Sequence, residues 1–292
     1  MKAPPFGYVR ATSLADLFAR WAAAGPDAKL LAGGQSLLAS LAFRLSEPAT
    51  LIDISRVPEL IGIAQSAGGA IRVGALTTHA ELGAHALIRS YVPLLAEAVP
   101  LIAHPAIRNR GTIGGSLAYA DPAAELPACC VALDTTILAR NPKGERRIPA
   151  GQFFTGLYTT ALAPDELIAA VEFPRARAGE RSTIMEVARR SGDYAMAGIV
   201  LRAMISGSTL VDPSIVFFGV GDKPVEARGA TSSLAGKSAT AAAVAAAQAA
   251  LDADLDPPAD QHGSAEMKRQ LARTLLARAL RRLLEPAEAR AA

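Results

Sequence analysis

Two short segments carry the residue types needed to hold an anionic ligand: Ala32-Gly33-Gly34-Gln35-Ser36 and Thr112-Ile113-Gly114-Gly115-Ser116. Each places a Gly-Gly pair before one or two polar side chains and then a leucine, Leu37 or Leu117. Paired glycines uncover backbone N–H groups and let the chain approach a ligand closely. Consecutive N–H groups in such turns form anion-binding nests. Gln35, Ser36, Thr112 and Ser116 add side-chain hydrogen bonding. Two such turns closing from opposite sides suit a diphosphate bridge, so valine at Gly33 or Gly115 is expected to clash with the diphosphate.

One pair alone carries little. With 24 glycines in 292 residues, ordinary usage gives about two adjacent pairs by chance. Three occur, starting at Gly33, Gly68 and Gly114. Gly68-Gly69 lies between alternating segments 61–65 and 70–74 and reads as a hairpin turn. The other two match neither the dinucleotide G-x-G-x-x-G nor the P-loop, which argues against both nucleotide sites. No G-x-S-x-G is present, so Ser36 and Ser116 are poor nucleophiles. Asp121 and Glu125 lie four apart, with Pro122 suited to a first helical position. They are either helix-start carboxylates favoured by the dipole or acceptors for a ribose or adenine. His104 reads as a loop residue rather than a base. The run Arg189-Arg190-Ser191-Gly192-Asp193-Tyr194 is either a solvated turn or a device that sets Tyr194 against a flat cofactor.

Local signals supply the elements that position these residues. Ser13 caps a first helix, with Asp16 three residues on as in a capping box. Leu14, Leu17, Phe18 and Trp21 mark its buried face, and Gly25-Pro26 ends it. An apolar strand over 28–32 delivers the first turn, and 50–54 is a second strand. Helices are expected over 78–86 and 91–102, and loop 104–111 leads into the second turn. Residues 126–133 form a buried apolar segment. Strands follow at 136–140 and 167–173, with a polar turn at 141–144 between them and Pro174 closing the second. The charged segment 174–181 is the expected domain boundary. Beyond it come strands 183–188, 195–206 and 214–220, and an alanine-rich helix over 238–251. A closing helix after Gly263-Ser264 has Leu271, Leu275, Ala279 and Leu283 on one face, and 285–292 are expected to fray. Strands followed by helices indicate a small α+β domain.

Composition sets the outer limits. The chain is 51% apolar and 20% charged with net charge +3, a globular composition long enough for about two domains. No basic run with interleaved aromatics is present, which argues against nucleic-acid binding. Cys129 and Cys130 are adjacent, a strained geometry for a bridge, and read as packing thiols in a reducing compartment. Four scattered histidines and no C-x-x-C argue against a metal or iron–sulfur site. The start shows no basic-then-apolar secretory pattern. The longest apolar run, 239–251, is too short to cross a bilayer.

The residues resemble the FAD-binding medium subunit of molybdenum-containing hydroxylases, the carbon monoxide dehydrogenase and xanthine dehydrogenase group. The likeness is carried by residues 32–38 (AGGQSLL), 107–116 (IRNRGTIGGS) and 120–127 (ADPAAELP). Weaker echoes are 74–78 (GALTT), 190–195 (RSGDYA) and 219–224 (GVGDKP). The resemblance implies an α+β fold: a two-subdomain FAD-binding domain of the vanillyl-alcohol-oxidase-like type over 1–176, split near 55–60. A small CO-dehydrogenase-flavoprotein-like α+β domain over 177–288 follows.

It also implies that FAD is held by Ala32, Gly33, Gly34, Gln35, Ser36 and Leu37 and by Gly111, Thr112, Ile113, Gly114, Gly115, Ser116 and Ala118. Leu31, Ile102, Ala103, Asp121 and Leu162 would also lie on the cofactor. Glu125 would sit near the adenosine end, and Asp193 and Tyr194 near the isoalloxazine. Tyr119 stands where many relatives have histidine. Glu186 lies near where some have a lysine over the flavin. Both departures bear on the acceptor and the flavin's surroundings rather than on FAD binding.

The implied function is an electron-transfer subunit. It would take electrons from the iron–sulfur clusters of a small partner subunit, fed by a molybdopterin large subunit, and pass them to an external acceptor. The implied assembly is a heterotrimer or its dimer, cytoplasmic or seated peripherally at the inner membrane face. No catalytic acid–base or nucleophile set is expected in this chain. The alternatives are a self-contained FAD-dependent oxidase, which needs a base and a substrate pocket of its own, and a non-catalytic scaffold subunit.

Overall fold

The computed structural model describes residues 2–285. The chain opens with β1 (Gly7–Arg10), α1 (Leu14–Ala24), β2 (Ala28–Leu31), α2 (Leu37–Ala42) and β3 (Thr50–Asp53). The three strands form a parallel sheet in the order β1-β3-β2. Ser13 caps α1, its Oγ accepting from Asp16 N at 3.1 Å. The Asp16 carboxylate returns to Thr12 N at 3.0 Å, one residue short of the expected box. Gly25, at φ 78°, closes the helix. Leu17, Ile52, Val57 and Leu60 fill a small core beneath this sheet.

Next come β4 (Ile63–Gln65), β5 (Ile71–Gly74), α3 (His79–Ala84), α4 (Ala86–Tyr91), α5 (Pro93–Ala98), α6 (Pro105–Arg108), α7 (Ile113–Tyr119) and α8 (Glu125–Ala132). They are followed by β6 (Thr136–Asn141), β7 (Gly144–Pro149), α9 (Ala150–Phe153), β8 (Phe154–Gly156), β9 (Thr159–Thr160) and β10 (Leu167–Phe173). The main sheet is antiparallel in the order β4-β5-β10-β6-β7. The hairpin at Gly68-Gly69 joins β4 to β5, as expected.

The helix expected over 91–102 is broken into pieces. Val92 leaves the helical region at φ −138°, ψ 55°, Pro93 starts α5, and a 3₁₀ turn spans Val99–Leu101. A proline disfavours helical geometry in the preceding residue and cannot donate to the previous turn; Pro93 does both here, whereas before Pro100 Val99 stays helical at φ −53°, ψ −42° and only the donor is lost. The apolar segment around the cysteines is helix α8, buried throughout from Leu126 to Ala132, with both thiols free.

The C-terminal part is β11 (Glu180–Val187), β12 (Ala197–Ser206), β13 (Thr209–Phe218), β14 (Val225–Glu226), α10 (Arg228–Leu234), β15 (Lys237–Ser238), α11 (Ala241–Asp254) and α12 (Ala265–Leu284). Strand β13 starts five residues before the expected 214, because Gly207 at φ 60° makes a tight hairpin with β12. Helix α11 starts late because Ser238 pairs with Thr209 in the sheet and Thr240 caps the helix. Leu275, Ala279 and Leu283 are buried as expected. Residues 286–292, where fraying was expected, lie outside the described residues.

The C-terminal sheet is two-faced. Leu201, Ile215 and Phe217 pack on α10–α12. Ile184, Val200, Val216 and Phe218 join the core of the preceding sheet and α8. Gly219 N donates to Pro122 O at 2.8 Å, and Arg202 donates to Ala132 O at 2.9 Å. The two parts therefore share a packed seam, and Glu125 and Glu186 lie on it.

Candidate functional site

The first glycine turn leaves the end of β2 and enters α2. Its backbone runs half-buried from Leu31 to Leu37. No N–H from Gly33 to Leu37 donates to a protein acceptor among the described residues; the first such bond of α2 is Leu38 N to Gly34 O. Five adjacent donors without acceptors form a nest for an anion. Gln35 turns inward, its Nε2 donating to Gly33 O at 3.1 Å, and so braces the turn. The backbone carbonyl of Ser36 takes both the amide and the hydroxyl of Ser40, at 3.0 and 3.1 Å.

The second glycine turn is built differently. Gly111, Thr112, Ile113 and Gly114 are buried, and only Gly115, Ser116 and Ala118 reach toward the surface. Its amides are occupied. Ile113 N donates to Thr77 O at 3.0 Å and Gly114 N to Ala75 O at 2.9 Å, and Gly115 N donates to Thr112 Oγ1 at 3.1 Å. The Thr112 hydroxyl is thus a helix cap for α7. The segment that pins this turn is the weak echo at 74–78, with His79 N donating to Gly111 O at 2.9 Å. Gly114 is glycine for packing, since a Cβ there would lie 2.5 Å from Ala75 Cβ. A Cβ on Gly115 would meet only Thr112 Oγ1, at 2.9 Å, so that side of the turn is open to a ligand.

The two turns touch. A Cβ on Gly33 would lie 1.9 Å from Arg110 O and 3.0 Å from Gly111 Cα. This corrects the expected cause of damage at Gly33: its missing side chain makes room for the other loop, and a larger residue strikes protein before any ligand. Further along, Ser40 Oγ lies 3.4 Å from Tyr119 Oη, so the helices that follow the two turns also meet.

Beside this cradle, Ile102 is buried and Ala103 takes the left-handed conformation at φ 40°. Tyr119 stands edge-on to Tyr158, centroids 5.2 Å apart. Asp121 accepts from Ala123 N at 2.9 Å and has the Tyr158 hydroxyl beside it; burial raises its pKa. Burial pushes Glu125 up to about 8, with Glu186 and Asp121 adding to the effect. Burial alone pushes Glu186 to about 7, and its Oε2 has no hydrogen-bond partner among the described residues. At neutral pH Glu125 holds a proton and so can donate as well as accept. Asp193 and Tyr194 are exposed on a loop whose Gly192 packs on the Ala103 carbonyl. Leu162 is half-buried against the shared core.

The structure therefore brings together residues 31–37, 110–119 and 102–103, and sets Tyr158, Asp121 and the 192–194 loop around them. Three contributors were missed from sequence. His79 sits buried under Gly111, whose Cβ would lie 3.2 Å from Nδ1. Neither of its ring nitrogens has a partner among the described residues, and burial drives its pKa down to about 4. Arg108 lies within the 107–116 motif, but its side chain was not read as part of the site, and Tyr158 has no spacing signal to the other site residues. Tyr158 is reached only through tertiary contact.

Residues 4–176 match the family described as the FAD binding domain in molybdopterin dehydrogenase, and residues 182–283 match the CO dehydrogenase flavoprotein C-terminal domain. The chain is 47% identical over 198 residues to subunit alpha of the 6-hydroxypseudooxynicotine dehydrogenase complex of Paenarthrobacter nicotinovorans, covering 68% of this chain and 67% of that one. It is 34% identical to the carbon monoxide dehydrogenase medium chain of Afipia carboxidovorans, over 98% of both. Among solved structures, it resembles a chain of carbon monoxide dehydrogenase from Hydrogenophaga pseudoflava. The TM-score is 0.93 at 38% identity, covering 96% of this chain and 98% of that one.

Proposed function

We propose a function from one premise: the chain belongs to the family of FAD-binding domains in molybdopterin dehydrogenase. It is the FAD-binding medium subunit of a multi-subunit molybdenum hydroxylase, an oxidoreductase component that works with an iron–sulfur small subunit and a molybdopterin large subunit. Residues 1–176 are the FAD-binding unit, with subdomains divided near 55–60, and 177–288 the C-terminal unit.

The observation that carries the cofactor reading is the row of N–H groups from Gly33 to Leu37 without an acceptor among the described residues, on a turn that touches the second one at Arg110 and Gly111. This cradle fits a diphosphate: donors are numerous, preorganised and half-buried, and no carboxylate of the described residues accepts from them. Residues 32–37 would grip the diphosphate from one side, and Gly115, Ser116 and Ala118 from the other. Gly111–Gly114 would act from below, by holding the second turn in place. Leu31, Ile102, Ala103 and Leu162 supply apolar wall. Asp121 and Glu125 stand where polar groups of the cofactor would be read. Asp193 and Tyr194 would flank the flavin ring.

FAD, when bound, supplies two-electron storage between one-electron carriers and an acceptor. This chain's residues bind it, orient it and keep water from one side of it. Burial favours the protonated form of Glu125 and so lowers the negative charge on the seam beneath the site. A cytoplasmic location is supported by the two buried, free cysteines. No helix of the described residues is long and apolar enough to cross a membrane.

Co-expression with its partner subunits tests the function. The expected result is an assembly with one FAD per copy of this chain, and no substrate oxidation by this chain alone with oxygen. Oxidation of a small alcohol or aldehyde by the isolated chain would instead identify a self-contained oxidase.

A further inference from the structure

We infer that Arg108 is a positioning residue that ties the second glycine turn to the loop bearing Asp193 and Tyr194, with Ala103 as the link between them. Arg108 ends α6, and Gly111 N donates back to Ile107 O at 2.7 Å, so its backbone is fixed to the turn. Its Nη1 donates to Ile102 O and Ala103 O, both at 2.9 Å, and to Pro100 O at 3.4 Å. All its hydrogen-bond partners among the described residues are carbonyls. A guanidinium with three carbonyls on one nitrogen works as a clamp on one bend of chain.

That bend is strained. Ala103 sits at φ 40° without being glycine, a conformation that persists only where surroundings impose it. The strain aims the Ala103 carbonyl across the seam. It meets Gly192, where a Cβ would lie 2.8 Å from Ala103 O and 3.2 Å from His104 Cε1. Gly192 itself is at φ 86°, so both backbone conformation and space demand glycine. Asp193 N donates to Arg190 O at 3.1 Å and keeps the loop tight, and Tyr194 follows directly. Arg108, Ala103 and Gly192 thus join residues 107–111, 100–103 and 190–194 into one mechanical unit that crosses from the FAD-binding unit to the C-terminal unit.

The consequence for the cofactor rests on the FAD reading above; the linkage does not. The test uses the full chain with Arg108→Met, Arg108→Lys, Gly192→Ala and the Arg108→Met/Gly192→Ala double variant. Limited trypsin cleavage after the exposed Arg189 and Arg190 reads the loop without FAD. Titration with FAD reads the site.

We expect both Arg108 variants to raise cleavage at the loop about tenfold, with cleavage elsewhere unchanged, and to weaken FAD binding about tenfold. Lysine is not expected to rescue, because one ammonium cannot hold this bend. Gly192→Ala should act alike, and the double variant should be no worse than the stronger single one. Unchanged loop cleavage, additive effects or rescue by lysine would overturn the linkage. If wild type binds no FAD, the proposed function fails and the cleavage arm still decides the linkage.

Discussion

Gly33 and Gly115 look alike in sequence and act differently. At Gly33 even alanine drives Cβ into the Arg110 carbonyl, 1.9 Å away. Overpacking against backbone has no flexible side chain to yield, so Gly33→Ala should cost about 3 kcal/mol or more, read by urea denaturation of the chain without FAD. At Gly115 the new methyl meets only Thr112 Oγ1. Gly115→Ala should leave the denaturation midpoint within about 1 kcal/mol of wild type while weakening FAD binding about tenfold.

Glu125 makes a second residue-scale prediction. Its carboxyl is raised from 4.5 to about 8 in the fold, so the folded state holds a proton that the unfolded chain has released. The stability linked to that proton is intact below about pH 4.5 and falls as pH rises toward 8. The loss is on the order of 2–4 kcal/mol between pH 5 and 9, and Glu125→Gln should flatten it. A denaturation series without FAD across that range gives the answer. Neither behaviour was legible in the sequence: the Gly33 contact is made 77 residues away, at Arg110, and Glu125 meets Glu186 only across the seam.

The two turns were legible at the element scale because each sits at a strand-to-helix or loop-to-helix junction marked by local residues. Ser13, Gly25, the Gly68-Gly69 hairpin and Pro174 were equally legible, since caps and turns are decided within a few residues. The helix over 91–102 misled because its apolar spacing is continuous, while Pro93 and Pro100 interrupt its backbone. The 74–79 strip was visible only as a faint echo, and its work is tertiary: it takes the amides that would otherwise make the second turn a nest. Thr112 completes that arrangement as the cap of α7. Thr112→Ala should cost about 1 kcal/mol in thermal or urea unfolding, and Thr112→Ser should restore most of it.

Across the whole molecule, the site lies where the parallel sheet, the antiparallel sheet and the C-terminal unit converge. The first supplies free amides, the second supplies a pinned turn, and the third supplies a loop with an exposed tyrosine. A relay subunit needs this kind of layout, with the cofactor held firmly and an edge left open for electron exchange. Burial raises both carboxyls of the acidic seam, Glu125 and Glu186, so both hold their protons to higher pH than an exposed glutamate does.

If the two glycine turns grip the diphosphate of FAD, the chain should tell FAD from a flavin that lacks it. Titrating the flavin-free full chain with FAD and, separately, with riboflavin tests it most directly, with flavin fluorescence as the readout. The expected result is one FAD per chain and riboflavin binding at least about a hundredfold weaker, since only FAD carries the diphosphate that the Gly33–Leu37 amides would hold. Equal affinity for the two flavins, or no FAD binding at all, would contradict it.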